Sequence, residues 1–128
     1  MIEQLSKDQL SAILENLPVD ITFVDENDVV RYWNKHDNRI FQRPLSSLGR
    51  PTQQCHPDRA LDKLNRILAD FRSGKRDSVE FWKDIEGRKI HIRYFAVRDT
   101  DGRYLGTLGT DQDITDIKWL EGEKVTLD

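Results

Sequence analysis

The stretch from Lys89 to Arg98 carries apolar or aromatic side chains on both of its faces, and it constrains the fold more than any other segment. Read at the two-residue period of a strand, Ile90, Ile92, Tyr94 and Ala96 share one side. His91, Arg93, Phe95 and Val97 form the other, a mixture that water alone does not favour. A sheet built on this strand needs cover on both faces. Its neighbours are close in sequence: Val79 to Lys83 precedes it across Asp84–Gly87, and Tyr104 to Gln112 follows it across Asp101-Gly102. Connections this short join antiparallel strands.

Upstream, Ser6 and Gln9 have the spacing of a capping box, and Leu10, Ile13, Leu14 and Leu17 fall on one helical face until Pro18 ends the run. Residues 21–24 and 29–33 are rich in β-branched and aromatic types and read as a hairpin across Asp25–Asp28. From Asn34 to Gln54 the chain is polar and irregular, with Pro44, Gly49 and Pro51 as breakers around one or two short helices. A long helix is expected over 57–73. Pro57 and Asp58 suit its first turn, and Leu61, Leu64, Leu68 and Phe71 make its stripe. Arg72 and Lys75 suit its negative end, and Gly74 stops it. The amphipathic helix 6–17 is the natural cover for the outer sheet face, from the same chain or from a twin, so a homodimer is expected.

The balance of 20 Lys and Arg against 23 Asp and Glu gives a net charge of -3, without the basic stripe of a nucleic-acid binder. No apolar run approaches the roughly 18 residues of a membrane span. The start at Met1 lacks the basic and apolar blocks of a secretory signal, so a cytoplasmic location is expected. The one cysteine, Cys55, rules out an internal disulfide, a dithiol redox pair and a cysteine-rich zinc site. At 128 residues the chain is one domain's worth of sequence.

Several separated blocks resemble the PAS family of sensor domains: Asp20–Asp25 with Val30–Asn34, the long helix, and Asp99–Gly106 running into Asp113-Ile-Thr115. Closer still is the likeness to PAS domains that lie downstream of hemerythrin-like domains in prokaryotic proteins. It is carried by Asn16–Asp20, Cys55-His-Pro57, Ser73–Asp77, Glu80-Phe-Trp82, Ile92–Asp99 and Leu120–Glu123. The resemblance implies an α+β fold: a five-stranded antiparallel sheet, small helices and one long helix on one face, flanking N- and C-terminal helices, and a cavity between sheet and long helix. The boundaries it suggests are 1–18 for the N-terminal flanking helix, 19–115 for the sensor domain and 116–128 for the start of a C-terminal signalling helix. It implies a non-catalytic module of signal transduction that binds a small ligand or a partner, with an effector or a hemerythrin-like domain among its partners. One fold hosts many functions, so the likeness leaves the ligand unnamed. The Asn-Cys-Arg-Phe-Leu pattern of flavin-binding light sensors is absent, because His56 and Pro57 follow Cys55.

The expected cavity lining is Phe23, Leu64, Leu68, Phe81, Tyr94 and Leu108, with Cys55 and His56 at its mouth. Cys55 and His56 admit three readings: capping or packing at a helix start, a ligand to haem iron, or contacts to an organic or anionic ligand. The alternative to a plain sensor is therefore a haem-binding redox or gas sensor using His56 or Cys55. An assembly module whose cavity is filled by its own side chains is a third reading. His36 reads as solvated, and His91 as a contact for the covering helix. The three histidines lack zinc-ligand spacing. Gly106 and Gly109 leave the last strand thin, for a close approach or a bulge. Asp111 and Asp113 share a face, and the sequence indicates neither the cleft nor the opposed environments that an acid/base pair needs. Asp113 is expected to meet an Arg or a backbone amide, and Thr115 to cap the next helix, so these two are the candidates for signal transmission. Phosphate-cradling glycine loops and serine-nucleophile turns are lacking, so no enzyme is expected. In the tail, Ile117, Leu120 and Leu127 define only about one and a half heptads, where a coiled coil needs three or four.

Overall fold

The computed structural model describes all 128 residues. Five strands form one sheet: β1 (Asp20–Asp25), β2 (Val30–Trp33), β3 (Ser78–Ile85), β4 (Arg88–Arg98) and β5 (Tyr104–Asp113). Their spatial order is β2-β1-β5-β4-β3. Each hydrogen-bonded pair is antiparallel, so the two hairpins β1–β2 and β3–β4 are joined by the central strand β5. Central placement of the last strand puts its backbone in contact with both halves of the molecule. The α+β arrangement expected from the sequence is the one observed.

Two α-helices accompany the sheet, α1 (Lys7–Glu15) and α2 (Leu61–Ser73). The capping box at α1 is complete: the Ser6 hydroxyl accepts from the Gln9 amide at 3.0 Å, and the Gln9 side chain accepts from the Ser6 amide at 2.9 Å. α2 is preceded by a 3-10 turn at Asp58–Ala60, so the helix expected from Pro57 opens with a tighter turn. It ends at Gly74, whose φ of 82° is the left-handed cap that a side chain would resist. Ile67, Leu68 and Phe71 are buried on the face that packs against β4 and β5. Full burial of Phe71 alone contributes about 2–3 kcal/mol of apolar transfer. Around the β1–β2 end, Val24, Val30 and Trp33 form a compact core with Cys55 against it.

The segment between β2 and α2, polar in sequence, folds as short 3-10 turns at Leu45–Ser47 and Thr52–Cys55. A buried polar network holds its start to β1. Asn34, fully buried, accepts from the Ile21 amide at 2.7 Å and donates to the carbonyls of Leu14 (2.7 Å) and Val19 (3.1 Å). The Arg39 guanidinium donates to the carbonyls of Ile21 (3.0 Å) and Asn34 (2.8 Å) and to the Thr22 hydroxyl (3.0 Å). The Asp20 carboxylate accepts from the Ile40 amide at 2.7 Å. An otherwise irregular stretch is thereby fixed by paired buried groups.

Two expectations about the termini need correction. α1 is tied to the molecule mainly through its C-terminal end, where Glu15 accepts from the Tyr32 hydroxyl and the Lys35 amide, both at 2.8 Å. None of its residues is buried, and Ile13 is 47% exposed, so within this chain it is only a partial cover for the sheet. The C-terminal helix expected over 116–128 is a single 3-10 turn, Ile117–Trp119, and the residues beyond it are exposed and non-helical. Gly122 at φ 63° departs from helical geometry, and Trp119 and Leu120 find no partner surface that would offset the cost of ordering a short helix.

Candidate functional site

Strand register decides what faces α2. Tyr94 stands opposite Val79 and Gly109, and Ile92 opposite Phe81 and Asp111. Thr22 and Gly109 are likewise partners across β1 and β5. These residues line a cavity of about 810 Å³ closed on its other side by Leu64, Ile67 and Leu68 of α2. Cys55 and His56 line it from the 3-10 turn that ends at Cys55. Six of the eight expected lining residues are therefore brought together: Cys55, His56, Leu64, Leu68, Phe81 and Tyr94.

Phe23 and Leu108 are not among them. They pair with one another, and Leu108 also pairs with Phe95, on the outer face. The reason is parity, since a strand's side chains alternate and a choice one residue off selects the wrong face. On β1 and β5 the inward positions are Thr22, Val24, Thr107, Gly109 and Asp111, all but Val24 polar or small. Phe23 and Leu108 lie outward there, so choosing by hydrophobicity misplaced both.

The same inversion hid the polar end of the cavity. Asp111 is 9% exposed and lines the cavity together with Arg43 and Tyr94. Burial pushes its carboxyl up to about 6, against the opposing pull of Arg39 and Arg43 and with the help of Asp20. Burial raises the Tyr94 phenol as well, and the Asp111 charge adds to the effect. The Arg43 Nε is buried without a hydrogen-bond partner. Pairing of β5 with β4 was the signal that could have found Asp111, since Tyr94 inward at Gly109 places Asp111 inward too.

Both glycines of β5 are sites of close approach. A Cβ on Gly109 would lie 3.1 Å from the Tyr94 ring, so the missing side chain lets Tyr94 settle over the strand. Gly106 is more demanding, with the Val24 carbonyl oxygen 2.2 Å from where a Cβ would be. A register irregularity between Val97 and Arg98 falls beside it, so bulge and close approach coincide.

The His56 ring Nδ1 lies 2.8 Å from the Thr52 carbonyl oxygen, which can only accept, so Nδ1 is the donor, and in the neutral ring Nε2 is the acceptor. The Cys55 thiol lies 3.7 Å from the Pro51 carbonyl. His36, exposed as expected, accepts from the Trp33 indole at 3.3 Å. His91 meets Glu80 of the neighbouring strand at 2.5 Å, where the sequence suggested the covering helix. The histidines thus stand in three separate places.

At the exit of β5 the Asp113 carboxylate accepts from the Thr115 hydroxyl (2.5 Å) and amide (3.0 Å), and it pairs with the Arg88 guanidinium. The Thr115 bonds, joined by Arg88, hold its carboxyl down at about 2. The Thr115 hydroxyl also accepts from the Lys89 amide at 2.9 Å, and the Ile114 amide donates to the Lys89 carbonyl at 2.8 Å. Thr115 therefore locks the end of β5 to the start of β4, where helix capping was expected. The cap position of the following 3-10 turn is Asp116.

Residues 10–115 match the sequence profile of a family described as PAS domain. No curated protein matches the chain. Among solved structures, the C-terminal domain of a protein from Streptococcus mutans is similar at 37% identity and a TM-score of 0.86, over 91% of this chain and 91% of that one. A sensory box sensor histidine kinase from Vibrio cholerae aligns at 16% identity and TM-score 0.58, over 83% of this chain and 90% of that one. VqmA of Vibrio cholerae, in a complex with ligand and DNA, aligns at 20% identity and TM-score 0.60, over 95% of this chain and 63% of that one. The last two likenesses are likenesses of fold.

Proposed function

The chain belongs to the PAS domain family, and from that premise we propose that it is a non-catalytic sensor module of signal transduction. A small molecule in the cavity between sheet and α2 shifts β5, and Asp113 and Thr115 pass the shift to the residues that follow. The observation that carries this reading is the course of β5. Its inward residues Thr107, Gly109 and Asp111 line the cavity, and its end is bonded through Asp113 and Thr115 to Arg88 and Lys89. A population shift along such a strand needs only a few kcal/mol of differential binding. Two proteins with this fold, a sensor histidine kinase and the ligand- and DNA-bound VqmA, have sensing or ligand binding in their descriptions. Ligand contacts fall to Cys55, His56, Leu64, Leu68, Phe81 and Tyr94, joined by Arg43 and Asp111. No helix is long and apolar enough to cross a membrane; a cytoplasmic site of action is part of the proposal. An effector or a hemerythrin-like domain would receive the output.

Native mass spectrometry of the purified protein tests the reading. A bound mass lost in Leu64→Trp supports it, whereas no bound mass and no stabilisation by any member of a small-molecule library contradicts it. The same spectra count subunits. A homodimer formed through α1 and the outer sheet face, where Ile13 and Trp82 are 47% and 63% exposed, is part of the proposal, and a monomer at high concentration in light scattering removes it.

A second reading, a haem-bearing sensor, is favoured by one observation. With Nδ1 of His56 donating to a carbonyl, Nε2 of the neutral ring is the nitrogen open to iron, the usual orientation of a metal-bound histidine. An intense Soret absorbance lost in His56→Ala supports it; a colourless protein after growth with added haem overturns it.

A further inference from the structure

Asp111 and Arg43 line one cavity, and neither forms an ion pair with the other or with another residue. Asp111 is 9% exposed, yet its carboxylate enters no hydrogen bond or ion pair; desolvation and more distant charges alone act on it. Arg43 has its Nε buried and unpaired. The other charges facing Asp111 are already committed. Arg39 is spent on carbonyls and the Thr22 hydroxyl, and Asp20 on the Ile40 amide and Lys35. A largely desolvated carboxylate without a partner is costly, so Asp111 and a half-buried Arg43 that stays apart from it in one hollow are complementary to a molecule with a positive and a negative end.

The rest of the lining agrees. Arg59, Lys63 and Lys83 add positive charge, in a chain whose net charge is -3, so the hollow attracts the negative end of an incoming molecule. Leu64, Ile67, Leu68 and Phe81 add apolar surface to the same lining. Resting on the reading of the cavity as a ligand site, we infer that it takes a small zwitterion with an apolar body, of the class of α-amino acids with hydrocarbon side chains. Its ammonium donates to Asp111, and its carboxylate accepts from Arg43, where a guanidinium can bind two oxygens at once. Ionised Asp111 is the binding form, so affinity falls as pH drops through the range near 6.

Calorimetric titration with leucine, isoleucine, valine, methionine and phenylalanine tests this, each beside its N-acetyl and carboxamide derivative. The expected result is binding of at least one free amino acid, with each blocked form weaker by about tenfold or more. Asp111→Asn is expected to abolish the preference over the N-acetyl form, and Arg43→Gln the preference over the amide. The blocked derivatives decide the matter even if a variant fails to fold. Blocked and free forms binding alike overturn the inference. If no amino acid binds but neutral fragments do, and Leu64→Trp abolishes that binding, the zwitterion is wrong and the ligand site survives. If nothing of any charge binds, both readings fall.

Discussion

A Cβ built on Gly106 would sit 2.2 Å from the Val24 carbonyl oxygen and 2.7 Å from the Phe23 ring, at a φ of 151° that side chains resist. Backbone cannot yield as a flexible side chain can, so Gly106→Ala is expected to cost about 3 kcal/mol in chemical denaturation, while Gly109→Ala, which asks only the Tyr94 ring to shift, costs about 1 kcal/mol. Asp111 works in the other direction. Its carboxyl titrates in the folded protein at about 6, up from the ordinary 3.8, so folding penalises the ionised form. Below pH 4 both states hold the proton and the penalty is absent. It grows as pH rises through that window and is complete above about 6, reaching about 3 kcal/mol at most by proton linkage. Asp111→Asn is therefore expected to raise the melting temperature at pH 8 and leave it nearly unchanged at pH 4. Equal effects at both pH values would contradict the assignment.

At the scale of elements, the buried side chains of Asn34 and Arg39 do for the irregular segment what ladder hydrogen bonds do for the strands. Asn34→Ala strips partners from the Ile21 amide and from the Leu14 and Val19 carbonyls. A loss of about 3 kcal/mol or more is expected on denaturation, with faster amide exchange at Ile21. None of this was legible in the sequence, because polar residues read as solvated until the partners that bury them are known. The periodic elements were legible. The capping box gave α1, the apolar stripe gave α2, and two-residue alternation with turn residues gave β3, β4 and β5 nearly to their ends. Phe23 and Leu108 were misassigned because most inward positions of β1 and β5 are small or polar (Thr22, Thr107, Gly109, Asp111), so hydrophobicity pointed to the wrong face. The terminal helix failed for a different reason: Ile117, Leu120 and Leu127 have helical spacing, but they are 49%, 78% and 97% exposed, so the chain offers them too little packing surface.

For the whole molecule, the organising fact is that the strand last in sequence is central in space. β5 pairs with β1 on one side and β4 on the other, faces the cavity along its middle and ends in the Asp113–Thr115 lock. A change in the cavity therefore has a short covalent path to the residues after Thr115. Hydrogen–deuterium exchange tests that coupling without needing the natural ligand, by comparing the wild type with Leu64→Trp, which fills the hollow with an indole. The amides to follow are Lys89, Ile114 and Thr115, whose bonds make up the lock, with those of the β1–β2 hairpin as the reference for overall stability. The expected result is a change of about fivefold or more at the three lock amides relative to the hairpin. A folded Leu64→Trp protein whose lock amides exchange as in the wild type would contradict it.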